Sequence, residues 1–141
     1  MELSEHPLMR KLLSLDLPPT DYVTAGSGPL LAHGLRDTIG DLDLVARGAA
    51  WEIAAGLADP VVASSGCGRV VSLFQGDIEV FDRWVPGTRE PDAMIDGAEW
   101  IQGIPFSPLS EVLACKERLG REKDQEDIRL IRRHLRAARE T

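Results

Sequence analysis

The chain has 141 residues, 43% hydrophobic and 28% charged, with 16 Lys and Arg against 23 Asp and Glu for a net charge of −7. That size and composition fit a single domain, residues 1–141, able to bury a core without disulfides or a structural metal, and the acidic balance excludes a whole-molecule basic footprint for nucleic acid. Cys67 and Cys115 make no Cys-x-x-Cys or zinc spacing, the N-terminus has no basic leader, and no apolar run approaches the roughly 18 residues of a membrane span, so a reduced cytoplasmic setting without a membrane is expected.

In residues 1–20, Leu8, Met9, Leu12, Leu13 and Leu15 recur at helical spacing until Pro18-Pro19, which predicts a short amphipathic opening helix. Residues 21–107 read as a sheet core. Residues 21–25 form a strand that runs into Gly26-Ser27-Gly28 and then a helical turn from Pro29 to His33. A strand, a glycine turn and a helix in that order aim backbone N–H groups at an anion, while the glycines alone would equally serve a tight turn. Residues 49–57 carry Trp51, Ile53, Ala54 and Leu57 as a helical stripe. Residues 61–64 and 69–74 read as strands, the latter turning through Gln75-Gly76-Asp77 into a second hairpin arm, 78–84.

Residues 85–107, rich in proline and glycine, read as an irregular connector with one short strand. Residues 108–141 read as two C-terminal helices. The first starts at Ser107-Pro108 and stops at Gly120, and the second opens on a capping-box-like Asp124-Gln-Glu-Asp127 with an arginine-rich end. These last residues are basic: 111–141 hold nine Lys and Arg against seven Asp and Glu, which leaves −9 on residues 1–110.

The chemistry concentrates in Ile39-Gly-Asp41-Leu42-Asp43-Leu44-Val45. A period of two places Asp41 and Asp43 on one side of a strand and Leu42 and Leu44 on the other. Aspartate is a poor strand former and the two charges repel, so a divalent cation is a natural counter-charge. The bland alternative is a solvated strand end or a capping turn. Glu79 is likewise an acid set between Ile78 and Val80, whereas Asp77 and Asp82 sit near a turn and a strand end.

This order of parts resembles the nucleotidyltransferase superfamily, the DNA-polymerase-beta-like fold, and most closely its small stand-alone bacterial members. The resemblance covers most of the chain and rests on Gly26-Ser27, on Asp41-Leu42-Asp43, on Glu79 within Ile78-Glu-Val-Phe81, and on two flanking stretches. Those stretches are the Gly34-Leu-Arg36-Asp-Thr38 lead-in and Lys116 followed by Arg121-Glu-Lys123-Asp124 and Asp127. Glu79 stands where many relatives have Asp, and no acceptor-binding domain follows the last helix.

The resemblance implies an α+β fold: a mixed, mostly antiparallel twisted sheet, a parallel strand–helix–strand unit from Tyr22 to Val45, helices on one face and a C-terminal helical pair. It implies Mg²⁺-dependent transfer of an NMP group from an NTP to a hydroxyl, with Asp41, Asp43 and Glu79 holding two Mg²⁺ ions. Gly26 and Ser27 would hold phosphates, with Lys116 as a phosphate cation or a snorkelling surface residue and Arg36 as a phosphate cation or a partner of Asp37. Asp124 reads as an N-cap, Arg121 and Lys123 as loop solvation, His33 as a packing residue, and Trp51, Trp84 and Trp100 as core or edge packing.

The acceptor is expected to be a small molecule or a protein rather than free nucleic acid. Asp77, Asp82, Glu90, Asp92, Asp96 and Glu99 would attract a cationic one. The acceptor would be gripped by this small core, by a second subunit in a homodimer, or by a protein partner. The alternative reading is a non-catalytic or weakly catalytic partner in a toxin–antitoxin type complex, since a fold does not fix a function.

Overall fold

A computed structural model describes residues 2–139; Met1, Glu140 and Thr141 lie outside it. The first helix, α1 (Pro7–Ser14), forms where Pro7 opens the first turn and the His6 ring accepts the Leu8 N–H at 3.2 Å. Its Leu8, Met9 and Leu12 are buried. A seven-stranded mixed sheet follows in the order β3-β4-β5-β2-β1-β7-β6. The strands are β1 (Tyr22–Ala25), β2 (Leu42–Ala46), β3 (Val61–Val62), β4 (Arg69–Leu73), β5 (Ile78–Phe81), β6 (Glu99–Ile101) and β7 (Ile104–Phe106). The pairs β2–β5 and β1–β7 are parallel and the other four antiparallel, so the mixed, mostly antiparallel sheet expected from sequence is present.

The segment from Tyr22 to Val45 departs from expectation. β1 and β2 pair antiparallel, with Tyr22 opposite Ala46 and Ala25 opposite Asp43. The intervening α2 (Gly28–Ala32) has five residues, about 7 Å at 1.5 Å per residue, and residues 33–41 form turns and bends rather than further helix. The chain therefore never travels back along β1 and re-enters the sheet at the end it left. One consequence is functional: the glycine turn after β1 and the acidic start of β2 share one end of the sheet.

Strand alternation gives the sheet two distinct faces. Tyr22, Leu42, Leu44, Ala46, Val71, Leu73, Ile78, Val80, Ile104 and Phe106 form the main core with α1 and with Ala50 and Ala54 of α3 (Gly48–Leu57). Val23, Ala25 and Val45 point the other way and pack on Met94 and Ile95 of α4 (Pro91–Asp96). Helices thus cover both faces, not one, because the connector holds a helix that its prolines and glycines mask. It also holds the β6–β7 hairpin, whose Gln102-Gly103 turn has φ of 51° and 78°, both positive as a two-residue turn requires.

The C-terminal pair is α5 (Leu109–Leu119), closed by left-handed Gly120, and α6 (Gln125–Arg139). Leu109, Val112 and Ile131 pack on Leu30 of α2. The hairpin of helices is thereby anchored beside the glycine turn. Among the described residues no helix is long and apolar enough to cross a membrane.

Candidate active site

The second face of the sheet is only partly covered by α4, and Asp41, Asp43 and Glu79 lie in the uncovered part. Leu42 and Leu44 are fully buried on the core side, which forces Asp41 and Asp43 outward by strand alternation. The parallel register sets Asp43 of β2 beside Glu79 of β5. One carboxylate oxygen from each of the three residues lies within 4.8 Å of the other two. They line a cleft of about 510 Å³ together with Gly26, Ser27, Arg36, Lys116 and Lys123, a volume in the range of small-ligand sites.

Electrostatics sharpen the picture. Asp43 is pushed up to about 7, first by burial and then by the charges of Asp41 and Glu79, against the opposing pull of Lys116 and Lys123. Glu79 is raised by its own burial and by the charge and hydrogen bond of Asp41. Among the described residues no basic side chain forms an ion pair with any of the three. An all-oxygen donor set, half-buried, converging within 4.8 Å and lacking a basic partner, fits a hard divalent cation such as Mg²⁺. Burial and then the neighbouring carboxylates raise the proton affinity of Asp43 and Glu79, and a bound dication would oppose that rise.

The glycine turn abuts this cluster. Gly26 has φ +61°, and a Cβ built on it would sit 2.8 Å from Asp43 Oδ2. Gly26→Ala therefore meets backbone strain and a carboxylate at once, and is expected to destabilise the protein by about 1–3 kcal/mol. Urea denaturation tests this: a variant within 0.5 kcal/mol of the parent, roughly the scatter of a neutral surface change, would show the turn to be unconstrained.

Behind the turn lies a buried network that sequence reading missed. Ser27 Oγ donates to Asp127 Oδ2 at 3.0 Å, and the Arg36 guanidinium donates to the same carboxylate. Lys116, 5% exposed, places its Nζ 3.3 Å from Ser27 Oγ, 3.2 Å from Asp127 Oδ2 and 3.1 Å from Asp124 Oδ1. Arg121 Nε completes the set 2.7 Å from Asp124. Burial pushes Asp124 and Asp127 up, but the basic groups outweigh it and both sit below the usual carboxylate range: Arg121 and Lys116 at Asp124, and Arg36 and Lys116, with the Ser27 hydroxyl, at Asp127.

The network revises several expectations. Lys116 does not snorkel along the surface: it is a buried ammonium paired with Asp124 and Asp127 that also lines the cleft. Asp124 ends a short 3₁₀ turn, Glu122–Asp124, and its carboxylate takes cations rather than capping. Arg36 pairs with Asp127, not Asp37, and Arg121 is not loop solvation. The available signal was the eight- and eleven-residue separation of Asp124 and Asp127 from Lys116 across a helix–turn–helix.

The remaining residues fall outside the reacting cleft or at its rim. The acids expected to draw a cationic acceptor each have a basic residue nearby: Asp77 pairs with Lys11, Asp82 with Arg69 and Glu90 with Arg83, Asp92 and Asp96 share Arg47, and Glu99 lies beside the His33 ring. Arg47 also pairs with Asp21, so one cation serves three aspartates and this surface keeps a net negative charge. His33 also packs edge-on against His134 at 5.5 Å. Trp51 is partly buried beneath Arg69 at 5.2 Å, Trp84 packs edge-on against Phe81 at 5.1 Å, and Trp100 is half-exposed on the edge strand. Comparison of the chain with protein-family models, with curated proteins and with solved structures finds no match.

Proposed function

We propose that the chain is a Mg²⁺-dependent nucleotidyltransferase that moves an NMP group from an NTP to a hydroxyl of a small molecule or a protein. The observation that carries this reading is the convergence of Asp41, Asp43 and Glu79 within 4.8 Å at the end of the sheet where the Gly26-Ser27 turn also lies. In the transfer, a new phosphorus–oxygen bond forms at the α-phosphate as the bond to pyrophosphate breaks and the hydroxyl proton is released. Divalent ions held by the three carboxylates would supply the charge neutralisation that such an in-line displacement needs.

The chain's own contribution is positioning. The Gly26-Ser27 turn presents backbone toward the cleft, while Arg36, Lys116, Arg121 and Lys123 outnumber Asp124 and Asp127 and leave that side positive opposite the carboxylates. Polyphosphate bound there would be aligned between cations and the acidic cluster, with few rearrangements left for the reaction.

Incubation of the protein and Mg²⁺ with each α-labelled NTP, against a panel of hydroxyl compounds and cell lysate, tests the reading. Label is expected on a small molecule or a protein, and chelation should abolish it. Label appearing only on RNA or DNA would overturn the acceptor class, and no labelled product with any NTP would count against the transfer itself.

A further inference from the structure

The polar cleft does not end at Lys116. A second cavity of about 190 Å³ shares Gly26, Trp84, Lys116, Leu119 and Arg121 with it and runs between α5 and residues 84–89. Its character differs. Ala25, Met94, Val112 and Cys115 contribute to its walls, and Cys115 is itself raised in pKa by burial. The Trp84 ring belongs to both cavities, held edge-on by Phe81 at 5.1 Å.

One polar group in the wall is unexplained by the fold. Ser107 is 3% exposed and lines the cavity, yet among the described residues its Oγ has no hydrogen-bond partner. A buried hydroxyl without a partner carries a desolvation penalty on the order of 1–3 kcal/mol, and it offers one donor and two acceptor positions. The cavity is also smaller than the roughly 300–1,000 Å³ of sites that hold a whole ligand. It suits one part of a molecule whose remainder lies elsewhere.

Resting on the nucleotidyl-transfer reading, we propose that this cavity holds the nucleobase of the NTP. A base has apolar faces and a polar edge, which matches a mostly apolar slot with an aromatic wall and one unpartnered hydroxyl. The shared wall gives continuity: Gly26 lies against Asp43 on one side and lines the cavity on the other. A nucleotide with its phosphates at the Gly26-Ser27 turn has the slot directly beside it. At the rim Glu111 pairs with Arg89, and the Arg118 guanidinium donates to the Gly87 carbonyl.

The test compares ATP with inorganic tripolyphosphate, which has the charge and lacks the base, by calorimetry in Mg²⁺. ATP is expected to bind the parent at least about tenfold more tightly, the scale of one stacked base. Cys115→Phe, which fills the slot, should remove that preference while leaving tripolyphosphate affinity unchanged. Ser107→Ala should weaken ATP about threefold or more, the scale of one neutral hydrogen bond, with a thermal midpoint equal to or above the parent's because the orphaned hydroxyl is gone. Equal affinities for ATP and tripolyphosphate in the parent would overturn the nucleobase assignment while sparing the phosphate site. Unchanged ATP affinity in both variants, or parallel loss of both ligands in Cys115→Phe, would also overturn it. Failure of both ligands to bind the parent would overturn the nucleotidyl-transfer reading and this assignment with it.

Discussion

Asp43→Asn is expected to abolish metal-dependent nucleotide binding and transfer while making the metal-free protein more stable. Asp43 titrates at about 7 in the fold against an ordinary value of 3.8, so the folded state resists its ionisation. A raised acid pKa means a penalty that is absent below about pH 4, grows between pH 4 and 7, and is complete above 7. Each pKa unit corresponds to about 1.4 kcal/mol, and because the repulsion is shared among three carboxylates the relief is expected to be on the order of 1–3 kcal/mol. Urea denaturation in chelator should therefore show parent and variant nearly alike at about pH 3.5 and the variant ahead at about pH 8. Mg²⁺ should reverse the order at pH 8, since a ligand present at a hundred times its Kd stabilises the folded parent by about 2.7 kcal/mol. A variant less stable than the parent in chelator at pH 8 would mean that Asp43 is held by a structural partner instead.

Asp127→Asn is expected to produce the largest loss of stability. The carboxylate is shared by Ser27, Arg36 and Lys116, and its removal leaves a 5%-exposed ammonium with Asp124 alone. Breaking one side of a buried pair costs about 3–5 kcal/mol. The pKa of Asp127 is lowered in the fold, so its contribution is present above the unfolded carboxylate value and disappears as pH falls below it. The gap between parent and variant should accordingly be full at pH 7 and shrink on approach to pH 3. Denaturation curves at the two pH values provide the check, and a gap under 1 kcal/mol at pH 7 would show the network to be dispensable. Nucleotide affinity should fall in the same variant, because Ser27 and Lys116 lose the group that orients them.

Much of the site was legible because its signals are local. Alternation within Gly40–Val45 placed two carboxylates on one side of a strand, and Glu79 stood out as an acid between β-branched neighbours. The strand direction was not legible in the same way. Whether β2 runs with or against β1 depends on whether the intervening segment carries the chain back along the sheet, and the helix there proved to be five residues long.

The missed α4 and the β6–β7 hairpin had readable signals, Glu90-Pro91 as a helix start and Gln102-Gly103 as a tight turn. Their proline and glycine content outweighed them in a reading by composition. The burial of Lys116 was the least accessible feature. Asp124 and Asp127 have ordinary capping explanations in sequence, and only the folding of α6 back onto α5 and α2 brings them to the lysine.

Calorimetric titration of Mg²⁺ with ATP into the parent and into the folded Asp41→Asn/Asp43→Asn double variant tests the carboxylate cleft most directly. A metal-dependent nucleotide site there predicts saturable binding by the parent and none by the double variant, with far-UV circular dichroism spectra of the two superimposable. Equal binding by both proteins would contradict it, because the nucleotide and its metal would then be held somewhere other than the cleft of Asp41, Asp43 and Glu79.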